Sequence, residues 1–405
     1  TVLAARQGTA ALAGWAVLLP FGLLLQQMST GAMGGGVVSA VARTLGAGRR
    51  DEAARLVLHA LLIATAFGLL FALGVSALAP ALLRAVAGEA AAAQASAYAF
   101  WVFGAGALPA WWGNTLASVL RGGGRHAQAA RVMAMSWGAY PVLAWLLAEP
   151  AGLGLTGVGI AFAVSSWSAA LTVAALVRRG DAGFTPTLRA QPERALFVRI
   201  LAVGAVASVL ATLANLTTVL VTAQLRVHGP ATVAAYGIAA RLEFLIIPIA
   251  FGVGAALTAL VGRAVGGGDW ATARRIAWLG GLLALAITGA IGLAVGLLPL
   301  GFASLFTADS VVAGIAADAL RFTGFAFGGF GIGMAMYFAS LGAGRMAAPI
   351  AGGVSRLLIA TLGGWWLANG LGLGPQGNFI GVALGITAYG LANAAGVRPG
   401  VWRAR

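Results

Sequence analysis

Three charged side chains stand deep in apolar stretches of this sequence, at a cost of roughly 2.5–3.5 kcal/mol each if the stretches cross a membrane. Glu243 lies 14 residues past Gly229, about 21 Å along a helix at 1.5 Å per residue. Arg241 precedes it by two residues, a rotation of about 200°. The two therefore point to opposite faces and cannot neutralise each other. Arg356 lies 11 residues past Arg345, about 16 Å into its own stretch. A contact between Glu243 and Arg356 from separate helices would satisfy both charges. Such a pair suits either of two roles: a brace inside one bundle, or a titratable element in coupling and gating.

Uncharged polar groups inside apolar stretches are the next candidates. Gln26, Gln27, Asn114 and Asn215 can bond helix to helix or line a cavity. Phe322, Phe325, Phe327, Phe330 and Tyr337 crowd one stretch among Gly324, Gly328, Gly329, Gly331 and Gly333. Phe325 and Phe330 point about 140° apart on a helix, so at most a subset could form an aromatic wall for flat cations. The others are expected to pack or meet lipid. Asp318 and Arg321, three apart on one face, read as a surface ion pair. His59, His126 and His228 are scattered, and no His/Glu cluster has metal-ligand spacing. The glycine runs lack a following Lys-Ser/Thr, so no phosphate-binding loop is present. No cofactor is called for.

The elements that position these residues are helices in a bilayer. Of 405 residues 60% are hydrophobic and 9% charged, with a mean hydropathy of +0.93. A soluble domain is about 25% charged. Apolar runs fall near 9–42, 56–83, 95–120, 127–148, 153–177, 197–225, 231–262, 272–304, 311–341, 346–370 and 376–397. They are rich in Ala, Leu, Val and Gly without strand alternation, which predicts an all-α polytopic membrane protein of eleven spans rather than a β-barrel. Cysteine is absent, so disulfides and thiolate sites are excluded. The net charge of +15 comes from 25 arginines and no lysine. Nineteen of the arginines fall in alternate loops and the C-terminal tail. That pattern predicts a cytoplasmic face and a cytoplasmic C-terminus, not nucleic-acid binding. Residues 1–8 show no cleavable leader.

The chain repeats itself at an offset of 220. Gly122, Gly124 and Arg125 recur as Gly342, Gly344 and Arg345; Arg43, Gly46 and Gly48 recur as Arg263, Gly266 and Gly268; Gly154 and Gly157 recur as Gly374 and Gly377. Matched loops fall on one membrane side, which predicts two parallel pseudo-repeat bundles, 1–178 and 196–405, joined by a cytoplasmic linker at 179–195. The run at 197–225 has almost no counterpart, so a complete chain is expected to carry one further helix at its start. Residues that break the repeat stand out: Arg356 aligns with Ser136, and Asn114 with Met334.

The runs Gly-Thr-Ala-Ala-Leu-Ala-Gly (8–14), Gly31 to Gly48, Ala235 to Phe244 and Phe338 to Arg345 resemble the multidrug and toxic compound extrusion (MATE) transporters. The resemblance spans essentially the whole chain. It implies a two-lobed, twelve-helix antiporter with a V-shaped cavity, eleven of whose helices are represented. It implies export of small amphipathic, often cationic compounds against proton or sodium influx, by a monomer in a bacterial-type inner membrane. A flippase for lipids or lipid-linked sugars shares the architecture; a membrane enzyme is the reading from another class. Many bacterial members carry an acid on the first helix, which is missing here. Another branch has acids at positions that fall near Asn215 and at Phe330, and neither is acidic.

Overall fold

The computed structural model describes residues 2–403, and every regular element among them is helical. Eleven long helices follow in order: α1 (Thr9–Gly46), α2 (Arg50–Ala87), α3 (89–122), α4 (His126–Ala148), α5 (Gly154–Arg178), α6 (Arg194–His228), α7 (Pro230–Gly266), α8 (Trp270–Leu297), α9 (Ser310–Ala343), α10 (Ala347–Gly370) and α11 (Pro375–Ala395). Each overlaps one expected apolar run. All but α3 and α4 are long and apolar enough to cross a membrane. Gly106 interrupts α3, and Arg131, Tyr140 and Pro141 lower the hydropathy of α4. The expected run 272–304 divides. Helix α8 ends at Leu297, and Pro299 opens a separate short helix, Pro299–Ser304. Proline lacks an N–H and suits a first helical turn.

The glycine repeat has a backbone cause. Gly48 and Gly268 have φ of +73° and +80°, Gly124 and Gly344 +84° and +69°, Gly152 and Gly372 +68° and +70°, Gly154 and Gly374 +54° and +57°. At the first two pairs a helix ends by turning left-handed. Arg49 N–H donates to the Thr44 carbonyl, and Arg125 N–H to that of Leu120. Asp269 N–H donates to Ala264, and Arg345 N–H to Ser340. These bonds satisfy carbonyls that the helix ends leave open. An L side chain there is costly, so the sequence keeps glycine.

The chain forms two compact units, Thr1–Ala205 and Val206–Arg405. The boundary lies within α6, past the polar segment 179–195. That segment packs on the first unit. Thr187 N–H donates to the Ala54 carbonyl, Arg125 Nε to the Asp181 carbonyl, and Gln128 Nε2 to Asp181 Oδ2. The core of the first unit gathers around α3, with Trp111 and Phe103 fully buried. The second unit is built on α9. Gly324, Gly328 and Gly331, at four- and three-residue spacing, face α8; Gly329 and Gly333 face α11. A Cβ on Gly292 would stand 2.3 Å from the Gly324 carbonyl oxygen, and one on Gly390 2.4 Å from that of Gly329. The glycines interleaved with the phenylalanines are thus contact surfaces that let backbones approach.

Several helices contain a wide π-turn: Gln27–Ala32 in α1, Leu70–Val75 in α2, Phe100–Ala105 in α3, and Ile359–Gly363 and Trp366–Gly370 in α10. Such turns shift the hydrogen-bond ladder by one residue and are frequent near functional sites.

Candidate functional site

In the second unit, Arg356 of α10 and Glu243 of α7 form an ion pair, Arg356 Nη2 donating to Glu243 Oε1. The side chains are 11% and 16% exposed, so the pair is sheltered but reachable. The Arg356 guanidinium carbon lies 5.5 Å from the centroid of the Phe330 ring on α9, within cation–π range. Phe330 in turn lies 6.3 Å from the Tyr389 ring of α11, with the planes 31° apart. Tyr389 donates its hydroxyl to Met334 Sδ at 3.8 Å. Four helices therefore contribute to one cluster. Its close approach depends on glycine: a Cβ on Gly385 would lie 2.9 Å from the Arg356 carbonyl oxygen. Removing one partner of a buried pair costs about 3–5 kcal/mol, because the other charge is left uncompensated.

Arg241, on the opposite face of α7, is exposed and makes no ion pair among the described residues. Asn215 is exposed and donates Nδ2 to the Ala211 carbonyl of its own helix. Asp318 and Arg321 form no ion pair among the described residues: Arg321 turns to the surface while Asp318 is half-buried. The aromatic residues of α9 divide between faces as their spacing requires, with Phe327 and Phe330 buried and Phe325 55% exposed.

The first unit gathers amides instead. Asn114 of α3 donates Nδ2 to Ser29 Oγ at 2.8 Å and to Gln26 Oε1 at 3.4 Å. Ser29 sits in the π-turn of α1 and donates to the Leu25 carbonyl at 2.7 Å. Gln27 begins that turn and is exposed. An apolar cavity of about 710 Å³ lies between α1 and α2, lined by Phe21, Leu24, Met28, Phe71 and Leu78 among others. It has no polar group with which to orient a ligand.

Two networks escaped the sequence reading. Gln224 of α6 donates Nε2 to the Thr361 carbonyl at 3.1 Å and accepts from Asn378 Nδ2 at 2.8 Å. Thr361 lies in a π-turn of α10. Near the start of α2, Glu52 pairs with both Arg49 and Arg199, and Arg55 with Glu193. Between these pairs His59, fully buried, accepts the Glu193 N–H at Nε2 (2.7 Å). Its Nδ1 lies 2.8 Å from the Arg55 carbonyl, so that nitrogen must carry a proton. A polar residue in an apolar run, as at Gln224, was the available signal. No group of three or more His, Cys, Asp or Glu that could hold a metal exists among the described residues.

The family model MatE matches residues 1–146 and 204–366. The chain belongs to the MatE family. Its members are transporters and not enzymes, and this MatE protein is a multi-pass membrane protein. Among curated relatives it is 31% identical over 174 residues to the "Probable multidrug resistance protein NorM" of Xylella fastidiosa. That match covers 40% of this chain and 35% of the relative's length. Among solved structures it resembles the Vibrio cholerae MATE transporter VcmN in its bent form, with a TM-score of 0.90 at 21% identity over 100% of this chain and 92% of that one. It also resembles a MOP superfamily transporter from Pyrococcus furiosus, with a TM-score of 0.88 at 22% identity over 99% of this chain and 90% of that one. These structural likenesses concern the fold.

Proposed function

We propose that this MatE protein is a secondary antiporter. It exports small amphipathic, often cationic compounds by alternating access, driven by inward proton or sodium flow and without a cofactor. It works as a monomer in the plasma membrane, its arginine-rich ends and C-terminus on the cytoplasmic side. The observation that carries the reading is the Glu243–Arg356 pair under Phe330. An acid at this depth is kept at a cost, and its partner gives it two states, paired or neutralised from outside. The family match and the multidrug resistance protein of Xylella fastidiosa support the substrate class.

The test is accumulation of a fluorescent organic cation in expressing and control cells, with the proton and sodium gradients collapsed in turn. Expressing cells should hold less dye, and loss of the driving gradient should abolish the difference. Glu243→Gln should behave as though that gradient were absent. Equal accumulation with and without the protein would sink the exporter reading.

A further inference from the structure

We propose that His59 is an acid-released latch that ties the end of the polar segment 179–195 to α2. The latch belongs to the first unit, and testing it needs no substrate.

His59 is fully buried, and both its ring nitrogens are engaged. Nδ1 donates to the Arg55 carbonyl, which leaves the Nε2 lone pair for the Glu193 N–H. The Phe197 ring meets the imidazole edge-on, with centroids 4.7 Å apart. The Glu193 carbonyl accepts from Leu196 and Phe197 and so begins α6. One imidazole lone pair therefore fixes the residue at which the polar segment becomes helix. Only the neutral ring can do this. A second proton turns Nε2 into a donor facing another donor, and a buried N–H left without an acceptor is costly.

The charges around the ring give an imidazolium no partner. Arg55 and Glu52 share its face of α2, with Arg50 and Asp51 exposed at the helix start; the segment brings Glu193, and α6 brings Arg194 and Arg199. Both nearby glutamates are taken, Glu193 by Arg55 and Glu52 by Arg49 and Arg199. Asp181, at the other end of the segment, accepts from Gln128. Helices α1 and α3 end beside the start of α2 with Arg43 and Arg121 and bring no acid there. Positive charge is in excess, so a charged His59 meets net repulsion.

The release is local. Ala182 and Phe184 are buried, and Thr187 N–H donates to the Ala54 carbonyl; a proton on His59 disturbs none of these contacts. Leu196 and Ile200 are buried as well and hold α6 beyond its start. Acid therefore frees 188–193 and leaves both flanks in place. Imidazoles change charge between about pH 5 and 8, so the docked form prevails at the upper end and is lost as the pH falls. The segment leads through α6 into the second unit, so what changes with pH is how tightly that connection is tied to the first.

The chain has no cysteine, so single-site spin labelling tests this on the full protein in phosphatidylcholine nanodiscs. Gln191→Cys carries a nitroxide at an exposed position beside the latch, and Thr185→Cys carries one beside the buried Phe184 as a reference. Spectra are recorded from about pH 8 to about pH 5. With the label at Gln191→Cys the mobile component should pass reversibly from minor to major as the pH falls; with the label at Thr185→Cys it should not change. His59→Gln supplies an amide oxygen that does not titrate, and His59→Phe supplies no acceptor; both should abolish the pH response, the second with the label mobile throughout. Glu193→Gln keeps the main-chain N–H and should keep the transition. A pH-independent spectrum from Gln191→Cys in the otherwise unmodified chain overturns the proposal, and this arm needs no His59 variant to fold. A transition that survives in His59→Gln, or one that disappears in Glu193→Gln while the label is still held at the upper pH, places the proton elsewhere and overturns it too.

Discussion

The two units share their turns and differ in what they bury. Where geometry is demanding, at Gly48 and Gly268 or at Gly154 and Gly374, residues 220 apart keep both their identity and their φ. Where chemistry is concerned the correspondence is lost. Glu243, Phe330 and Arg356 align with Leu23, Ala110 and Ser136; Gln26, Ser29 and Asn114 align with Ile246, Ile249 and Met334. The second unit holds a charge pair at depth beside the Gln224–Asn378 amides, whereas at the depth of Asn114 the first holds neutral amides and keeps its ion pairs at the two ends of α2. A left-handed turn has few sequence solutions, so duplication preserves it. A buried polar group has to be satisfied only once, so one copy can keep it and the other can fill the space with an apolar side chain.

The largest test of this contrast is a double-mutant cycle in the second unit. Glu243→Gln or Arg356→Gln alone should cost about 3 kcal/mol of stability. Together they should cost less than the sum by more than about 1 kcal/mol, measured by thermal unfolding in detergent. Additive losses would mean that the two groups do not act as a pair. Next come the shared turns. A Cβ at Gly48 or Gly268 meets nothing within 4 Å, so alanine at either should cost only the left-handed penalty of about 1–2 kcal/mol. Nearly equal losses at the two positions are expected; a large inequality would break the equivalence of the turns. Asn114→Leu should cost about 1 kcal/mol or less and spare export if the amide cluster only braces the helices. Lost export with retained folding would make that cluster part of the transport path.

The smallest effect distinguishes two helix starts. Asp269 accepts the Thr272 N–H and begins α8. Its counterpart Arg49 makes no such side-chain bond at the start of α2. Hydrogen bonds from Thr272 hold the Asp269 carboxyl below the ordinary carboxylate value. Its contribution is therefore complete above about pH 4 and fades as the pH falls through the lowered value. Hydrogen exchange at the first turn of α8 should quicken on acidification, and Asp269→Ala should remove that response. An acid response that survives the substitution would rule out the cap.

Much of this was legible in the chain. Apolar runs placed every long helix because a bilayer-length helix must be written as one. Counting residues from Gly229 and Arg345 put Glu243 and Arg356 at comparable depth because helix rise is fixed. The Gln224 network was not legible, since it uses a Thr361 carbonyl within a π-turn, and ladder shifts of that kind leave no residue signature. The His59–Glu193 contact was hidden for another reason: a polar, proline-bearing segment reads as a loop, and nothing in it names the helix it will lie against.

The segment after α11 has a practical consequence. Trp402 is 1% exposed and its carbonyl accepts from Arg274 at 2.6 Å; the Arg403 carbonyl accepts from Arg345 at 2.9 Å. Trp278 donates to the Val397 carbonyl, and the Trp270 ring meets that of Trp402 edge-on. A purification tag or protease site engineered into 397–402 would therefore strip indole and guanidinium contacts from the first turns of α8, and expression yield would register the damage before any transport assay did.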